Sequence, residues 1–292
     1  MTAKTTRPSY RGFYAEVLGV CDLSQTFRRL TLTGPDLHDF GETLLDQRIK
    51  LILASGAMAS AWPLDDAYSY WRSLPDEERP AMRTYTVAGI DRVRRELLVD
   101  IACRPVHGPA SQFALDARRG DPVVVVGPDA RSEEATEDGV AWRPGAARDL
   151  VVVGDETALP AIRNILRVLP HESTGLVVLE VPTISDATEL AVPRGIELSV
   201  VRRHGAPMAA AAARVAALTG GSVPVTPAAA DDHADLIWDE AEGASAGRYG
   251  WLAGEAGGVM ALRRELLKRR ALTRGSASFM GYWRRGRAED SG

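Results

Sequence analysis

Cysteine is nearly missing from this chain of 292 residues, where Cys21 and Cys103 are the only two. They form no CxxC pair and are too few for an iron–sulfur cluster or a disulfide framework, so both read as small apolar residues. Lysine is almost as scarce: Lys4, Lys50 and Lys268 are the only ones, and the remaining strong bases are arginine. This sets Lys50 apart, because it interrupts the apolar stretch Arg48-Ile49-Lys50-Leu51-Ile52-Leu53, where a lysine needs a task. The histidines His38, His107, His171, His204 and His233 are scattered without ligand spacing, which argues against a protein metal site. No apolar run approaches the roughly 20 residues that cross a bilayer, and Met1 to Gly12 is polar with no signal-peptide core. The expectation is a cytoplasmic protein that meets no membrane. Lys plus Arg number 35 against 39 Asp plus Glu, a net charge of −4, which excludes coating of nucleic acid through bulk charge.

At 45% hydrophobic and 25% charged residues, the chain has apolar material for one large domain or two ordinary ones. Its first part carries short β segments punctuated by turns, the pattern of a barrel: Phe13 to Val20, Phe27 to Thr33, Arg48 to Leu53, Arg83 to Ala88, Glu96 to Ala102 and Pro122 to Val126. Ala54 to Ala81 breaks this pattern with Gly, Pro and four large aromatics, and reads as a long excursion holding a short helix. Acidic and small residues then mark a linker over 131–148. Beyond it the apolar strand Leu150 to Gly154 precedes a helical repeat of Leu159, Ile162, Ile165, Leu166 and Leu169. Leu176 to Val181, Ile196 to Val201, Tyr249 to Ala253 and Ala277 to Met280 continue as buried strands. Helices are expected over Met208 to Leu218, with its run of alanines, and Gly258 to Ala271. The fold class expected is a β barrel over 1–130 followed by a doubly wound parallel α/β sheet over 149–292, with ligands at the carboxyl ends of its strands.

Two motifs are discounted. Gly243-Ala244-Ser245-Ala246-Gly247 fits the GxSxG expression, but a loop precedes it and a strand follows, the reverse of a nucleophile elbow. Gly254-Glu255-Ala256-Gly257-Gly258 lacks the Walker lysine and reads as a strand-to-helix turn whose N–H groups can face an anion. The informative stretch is Arg83-Thr84-Tyr85-Thr86-Val87 together with Gly108-Pro109-Ala110-Ser111. On a strand, Arg83 and Tyr85 share one face and Thr86 takes the other. This suits a flavin: an aromatic lies on the ring, an arginine grips phosphate, and a hydroxyl reaches the ring edge. Gly108 to Ser111 leads into a short helix, Gln112 to Arg118, whose N-terminus attracts pyrophosphate. Asp155 and Glu156 have an alternative reading as acidic N-cap residues of the helix that Thr157 opens.

With these blocks, and with Glu78 to Met82, Gly154-Asp155-Glu156-Thr157-Ala158-Leu159-Pro160-Ala161-Ile162, Trp251-Leu252-Ala253-Gly254-Glu255-Ala256 and Ser278-Phe279-Met280-Gly281-Tyr282-Trp283-Arg284-Arg285-Gly286, the chain resembles the siderophore-interacting proteins. These are FAD-dependent ferric-siderophore reductases of the ferredoxin-reductase-like superfamily. The resemblance implies a six-stranded FAD-binding barrel and an NAD(P)H-binding domain. By matching position, Arg83 holds the FAD phosphate, Tyr85 packs on the isoalloxazine, Thr84, Thr86 and Val87 line its edge, and Gly108, Pro109, Ala110 and Ser111 receive the pyrophosphate. Asp155, Glu156, Thr157, Gly254 and Glu255 fall where a nicotinamide nucleotide, NADH or NADPH, approaches, and Trp283 either closes the flavin pocket or belongs to the core. The chain departs from the family pattern at Ala88, where an arginine is usual, and over Cys103 to His107, where a His-Gly pair is usual. Arg104 or His107 would compensate there.

The resemblance also implies the reaction: NAD(P)H reduces FAD, which reduces Fe(III) in a siderophore and so loosens a chelate built on hard oxygen donors. No protein general base is required. Lys50, Arg131, Arg284 and Arg285 are the expected docking cations for a bulky anionic chelate, with solvated surface charge as the alternative, chiefly for Arg131. Arg202 and Arg203 are candidates for an adenosine 2′-phosphate. Ferredoxin as electron donor, a non-enzymatic flavin- or siderophore-binding protein, and a general flavin-dependent reductase remain open. Positions 259–288 hold nine basic residues and one acid, so the near-neutral total hides a strongly cationic end.

Overall fold

Alternation of apolar and polar residues closes the first half of the chain into a barrel. In the computed structural model, which describes residues 7–41, 43–103, 108–133, 138–187, 190–218, 237–242 and 247–286, the first strands are β1 (Tyr10–Asp22), β2 (Phe27–Thr33) and β3 (Arg48–Ile52). Helices α1 (Gly56–Ser60) and α2 (Ala67–Ser73) follow, then β4 (Met82–Asp91), β5 (Glu96–Ala102), α3 (Pro109–Asp116) and β6 (Pro122–Pro128). The six strands form a closed barrel in the order β1-β2-β5-β4-β3-β6 with antiparallel pairing throughout. Phe13, Ala15, Val17, Leu30, Leu32, Ile49, Leu51, Val99, Val123 and Val125 belong to one buried cluster. Val124, Val126, Ile52 and Met82 join a second with Trp62, Ala67 and Trp71. β6 is therefore apolar on both faces, because the 54–81 excursion covers the outside of the barrel there with two short helices where one was expected.

The second half buries both faces of a sheet, which is why its strands read as continuous apolar runs. Its elements are β7 (Asp149–Gly154), α4 (Leu159–Val168), β8 (Thr174–Val181), β9 (Gly195–Arg202), α5 (Ala209–Leu218), β10 (Trp238–Asp239), β11 (Arg248–Glu255), α6 (Ala256–Lys268) and β12 (Ala277–Trp283). The strand order is β10-β12-β11-β7-β8-β9. Five strands run parallel, and the two-residue β10 pairs antiparallel with β12 at one edge. Val151, Val153, Val178, Leu252 and Phe279 pack with Met208, Ala212, Val215 of the α5 region and Val259, Leu262 and Leu266 of α6. The opposite face carries α4: a Cβ placed on Gly154 would strike Ala158 and Ile162. Strand order reverses between β7 and β11, so the carboxyl ends of those two strands form the crevice where such sheets bind ligands.

Two compact units divide in sequence between Val140 and Ala141. The stretch expected as a linker is not a free tether, since Val140, Ala141, Trp142 and Ala147 are buried, while 134–137 lie outside the described residues. Tyr249 on β11 anchors its second part, with the phenol donating to the Ala141 carbonyl at 3.0 Å and accepting from the Arg143 N–H at 2.9 Å.

Candidate functional site

In the barrel unit, β4 runs beside β3 with Thr84 opposite Lys50, Tyr85 opposite Ile49 and Thr86 opposite Arg48. Tyr85 packs against the interior cluster, to which Val87 belongs, and Thr86 is buried. The Arg83 guanidinium donates to the Met82 carbonyl at 2.7 Å and has no carboxylate partner among the described residues. Lys50 Nζ lies 3.2 Å from Thr84 Oγ1 and 5.6 Å from the centre of the Tyr68 ring. Its task in the apolar strand is thus visible: it reaches the outer face of the barrel, between β4 and the 54–81 excursion.

Helix α3 starts earlier than expected, with Gly108 as its N-cap and Pro109 in its first turn. No side chain caps it, so its leading N–H groups have no side-chain acceptor. Ser111 Oγ donates to the Ala102 carbonyl at 3.3 Å. Among the described residues, no atom lies within 4 Å of a Cβ placed on Gly108. A helix start without a side-chain cap and an arginine without an acid partner among the described residues fit a dinucleotide diphosphate. Arg104 and His107 lie outside the described residues.

Arg131 departs from its expected docking role. It holds Asp129 with two hydrogen bonds of 2.8 and 2.7 Å and approaches Asp39 at 3.2 Å, so its charge is committed within the barrel. Arg11 adds a third contact to Asp129, at 3.3 Å. Burial pushes the Asp129 carboxyl up, but hydrogen bonds and charge from Arg131, with the charge of Arg11, outweigh this and hold it below the usual carboxylate range.

In the α/β unit, the acidic residues at the strand ends are taken up by donors of the unit itself. Asp155 is fully buried: Oδ1 accepts from Thr157 N (2.9 Å) and Thr157 Oγ1 (2.6 Å), and Oδ2 accepts from Glu255 N (2.8 Å) and Trp283 Nε1 (2.8 Å). Asp155 is thus the N-cap of the turn that opens α4. Glu255 caps α6 through Gly258 N at 2.9 Å and accepts from Arg285 N at 3.3 Å. Glu156, also fully buried, pairs with Arg203, which reaches Glu180 on β8 at 3.1 Å. Burial would lower the Arg203 pKa, but the hydrogen bonds and charge of Glu156, with Asp155 and Glu180 beyond it, raise it above its ordinary value. These side chains are not free to meet a nucleotide, and Arg203 is not available for a 2′-phosphate. At the crevice the backbone of Gly254 lies against Asp155, while Arg202, at the end of the edge strand β9, is exposed. Arg284 is half-buried, and Arg285 is exposed with no side-chain partner among the described residues.

Sequence reasoning missed Glu180, which also accepts from Met208 N, Ala210 N and Ala211 N at 2.7, 2.9 and 3.1 Å. Its signal was an acid inside the apolar run Leu176 to Val181. Of the discounted motifs, positions 243–246 lie outside the described residues, and 254–258 form the strand-to-helix turn between β11 and α6. Among the described residues no group of His, Cys, Asp and Glu is placed to hold a metal, and no helix is long and apolar enough to cross a membrane.

Two family models match: the siderophore-interacting FAD-binding domain over residues 16–132 and the siderophore-interacting protein over 147–286. An uncharacterized protein of Mycobacterium tuberculosis is 32% identical over 94% of this chain and 91% of its own length. The ferric vibriobactin reductase of Vibrio cholerae is 27% identical over 92% of this chain and 88% of its own. The crystal structure of the siderophore-interacting protein SipS from Aeromonas hydrophila superposes with a TM-score of 0.64 at 29% identity, covering 95% of this chain and all of that one. Barrel, parallel sheet and matched blocks agree, and the chain belongs to the siderophore-interacting protein family, whose barrel is an FAD-binding domain.

Proposed function

We propose that this protein is an FAD-dependent reductase that passes electrons from NAD(P)H to Fe(III) held in a siderophore, in the cytoplasm, releasing Fe(II). The observation that carries the reading is the pairing of the Arg83 to Val87 strand with the uncapped start of α3 in one barrel. When bound, FAD supplies the conversion between a two-electron hydride donor and one-electron acceptors. Arg83 would hold its phosphate, the N–H groups at Ala110 and Ser111 its pyrophosphate, and Tyr85 the ring face, with Thr84, Thr86 and Val87 along the edge. The crevice at the ends of β7 and β11 would take the nicotinamide nucleotide. Lys50, Arg284 and Arg285 would draw in and hold an anionic ferric chelate. Reduction replaces a hard ion with a softer one, which the oxygen donors of the chelate grip less well.

Purified protein should be yellow, bleach anaerobically with NADH or NADPH, and recolour on addition of ferric citrate. A yellow protein bleached by neither nucleotide would overturn the NAD(P)H step and turn attention to a reduced ferredoxin. Lys50→Ala and Arg285→Ala should each raise the KM for ferric citrate several-fold more than that for menadione, a neutral acceptor. Equal losses on both acceptors would remove the docking role.

A further inference from the structure

Resting on the reductase reading, we infer that Asp155 and Glu255 act as a two-carboxylate clamp that positions the exit of β12, and with it the chelate-docking arginines, instead of binding nucleotide. Asp155 spends four acceptor positions on four donors drawn from the ends of β7, β11 and β12. A carboxylate has about four lone-pair sites, so none is left for a ligand hydroxyl. Gly254 adopts a φ of +146°, and a Cβ there would strike Asp155 Oδ2 at 2.7 Å. The close approach of the two strand ends therefore requires that glycine.

The clamp has a direction. Asp155 Oδ2 fixes both the Glu255 N–H and the Trp283 indole, and Glu255 Oε1 takes the N–H of Arg285. These two anchors sit at Trp283, where β12 ends, and at Arg285, so that Arg284 lies between them and Arg285 carries the second. A guanidinium on an untethered segment would lose entropy on each encounter with a chelate, whereas one on a backbone pinned at both neighbours is preorganised. Asp155 is thus a positioning residue for acceptor binding that acts through Trp283 and Glu255.

Asp155→Asn keeps the shape but turns one acceptor oxygen into a donor facing donors, and Trp283→Phe removes the indole N–H together with part of the ring. Each variant, isolated with FAD bound, should raise the KM for ferric citrate about tenfold, the scale of one lost hydrogen bond to a charged group. The KM for NAD(P)H should change far less. The double variant should be no worse than the more impaired single one, because the Trp283 contact is already lost in Asp155→Asn. Titration with gallium citrate, a redox-inert analogue, should show the same loss of affinity by calorimetry without turnover. A rise in the NAD(P)H KM with ferric citrate unaffected would restore the nucleotide-ligand reading and overturn the clamp, as would additive effects or no effect. If Asp155→Asn fails to fold, Trp283→Phe and Glu255→Gln carry the test alone. Wild-type protein that does not reduce ferric citrate would sink the reductase reading itself, and gallium citrate binding would still decide the clamp.

Discussion

Asp129 has 1% of its side chain exposed between two guanidiniums, Arg131 and Arg11, and its ionisation is tied to the fold of the barrel. Its carboxyl is held below the ordinary range, so the stabilisation is present above the unfolded pKa of about 4 and is lost as pH falls through the lower folded value. The barrel should therefore weaken on the acid side of about pH 4, and Asp129→Asn should flatten that slope in thermal melts taken across pH. Arg131→Ala should cost about 1–2 kcal/mol, since part of the guanidinium is exposed and Arg11 remains, without altering the KM for ferric citrate. Arg83 differs in having no acid partner among the described residues: Arg83→Ala should weaken FAD binding at least about tenfold, measured by flavin fluorescence, with little change in melting of the flavin-free protein. The two arginines are indistinguishable as sequence letters. Arg83 was legible because its neighbours on the strand form a motif, whereas the fates of Arg131 and Arg203 depend on carboxylates as distant as Asp39 and Glu156, which only packing brings close.

At the scale of elements, periodicity carried most of the fold. β2 and β5 match their expected spans because their alternating residues face a buried cluster on one side. β10 is two residues long and leaves no periodic trace, and α3 begins at Pro109 instead of Gln112 because proline is tolerated in the first turn. The alanine run marked α5, but the run says nothing of what caps the helix. That group is Glu180, which stands on β8 and takes three N–H groups from the start of α5 while bonding Arg203. Glu180→Ala removes a helix cap from outside the helix and half of the partners of a largely buried guanidinium. It should cost about 3–5 kcal/mol, read as a loss of stability in chemical denaturation. Glu180→Gln, which keeps one acceptor oxygen, should recover part of that loss.

Across the whole molecule, three buried apolar clusters among the described residues each lie in one unit: two in the barrel unit, built from residues up to Val126, and one in the sheet unit, from Val151 onward. Cooperative unfolding follows shared burial, so each unit should melt with its own transition in calorimetry. Two variants assign the transitions. Trp71→Ala empties a site with 1% exposure within the 54–81 excursion and should lower the barrel transition, at a cost of about 3–5 kcal/mol. Glu180→Ala should lower the other. FAD binds only the folded barrel, so at a free concentration 100 times its Kd it should stabilise that transition by about 2.7 kcal/mol and leave the sheet transition in place. The same experiment locates the nucleotide, because NAD(P)H should raise the transition that Glu180→Ala lowers and not the one that Trp71→Ala lowers. A single transition that both variants and both ligands move together would mean that the units unfold as one body and would refute their independent melting.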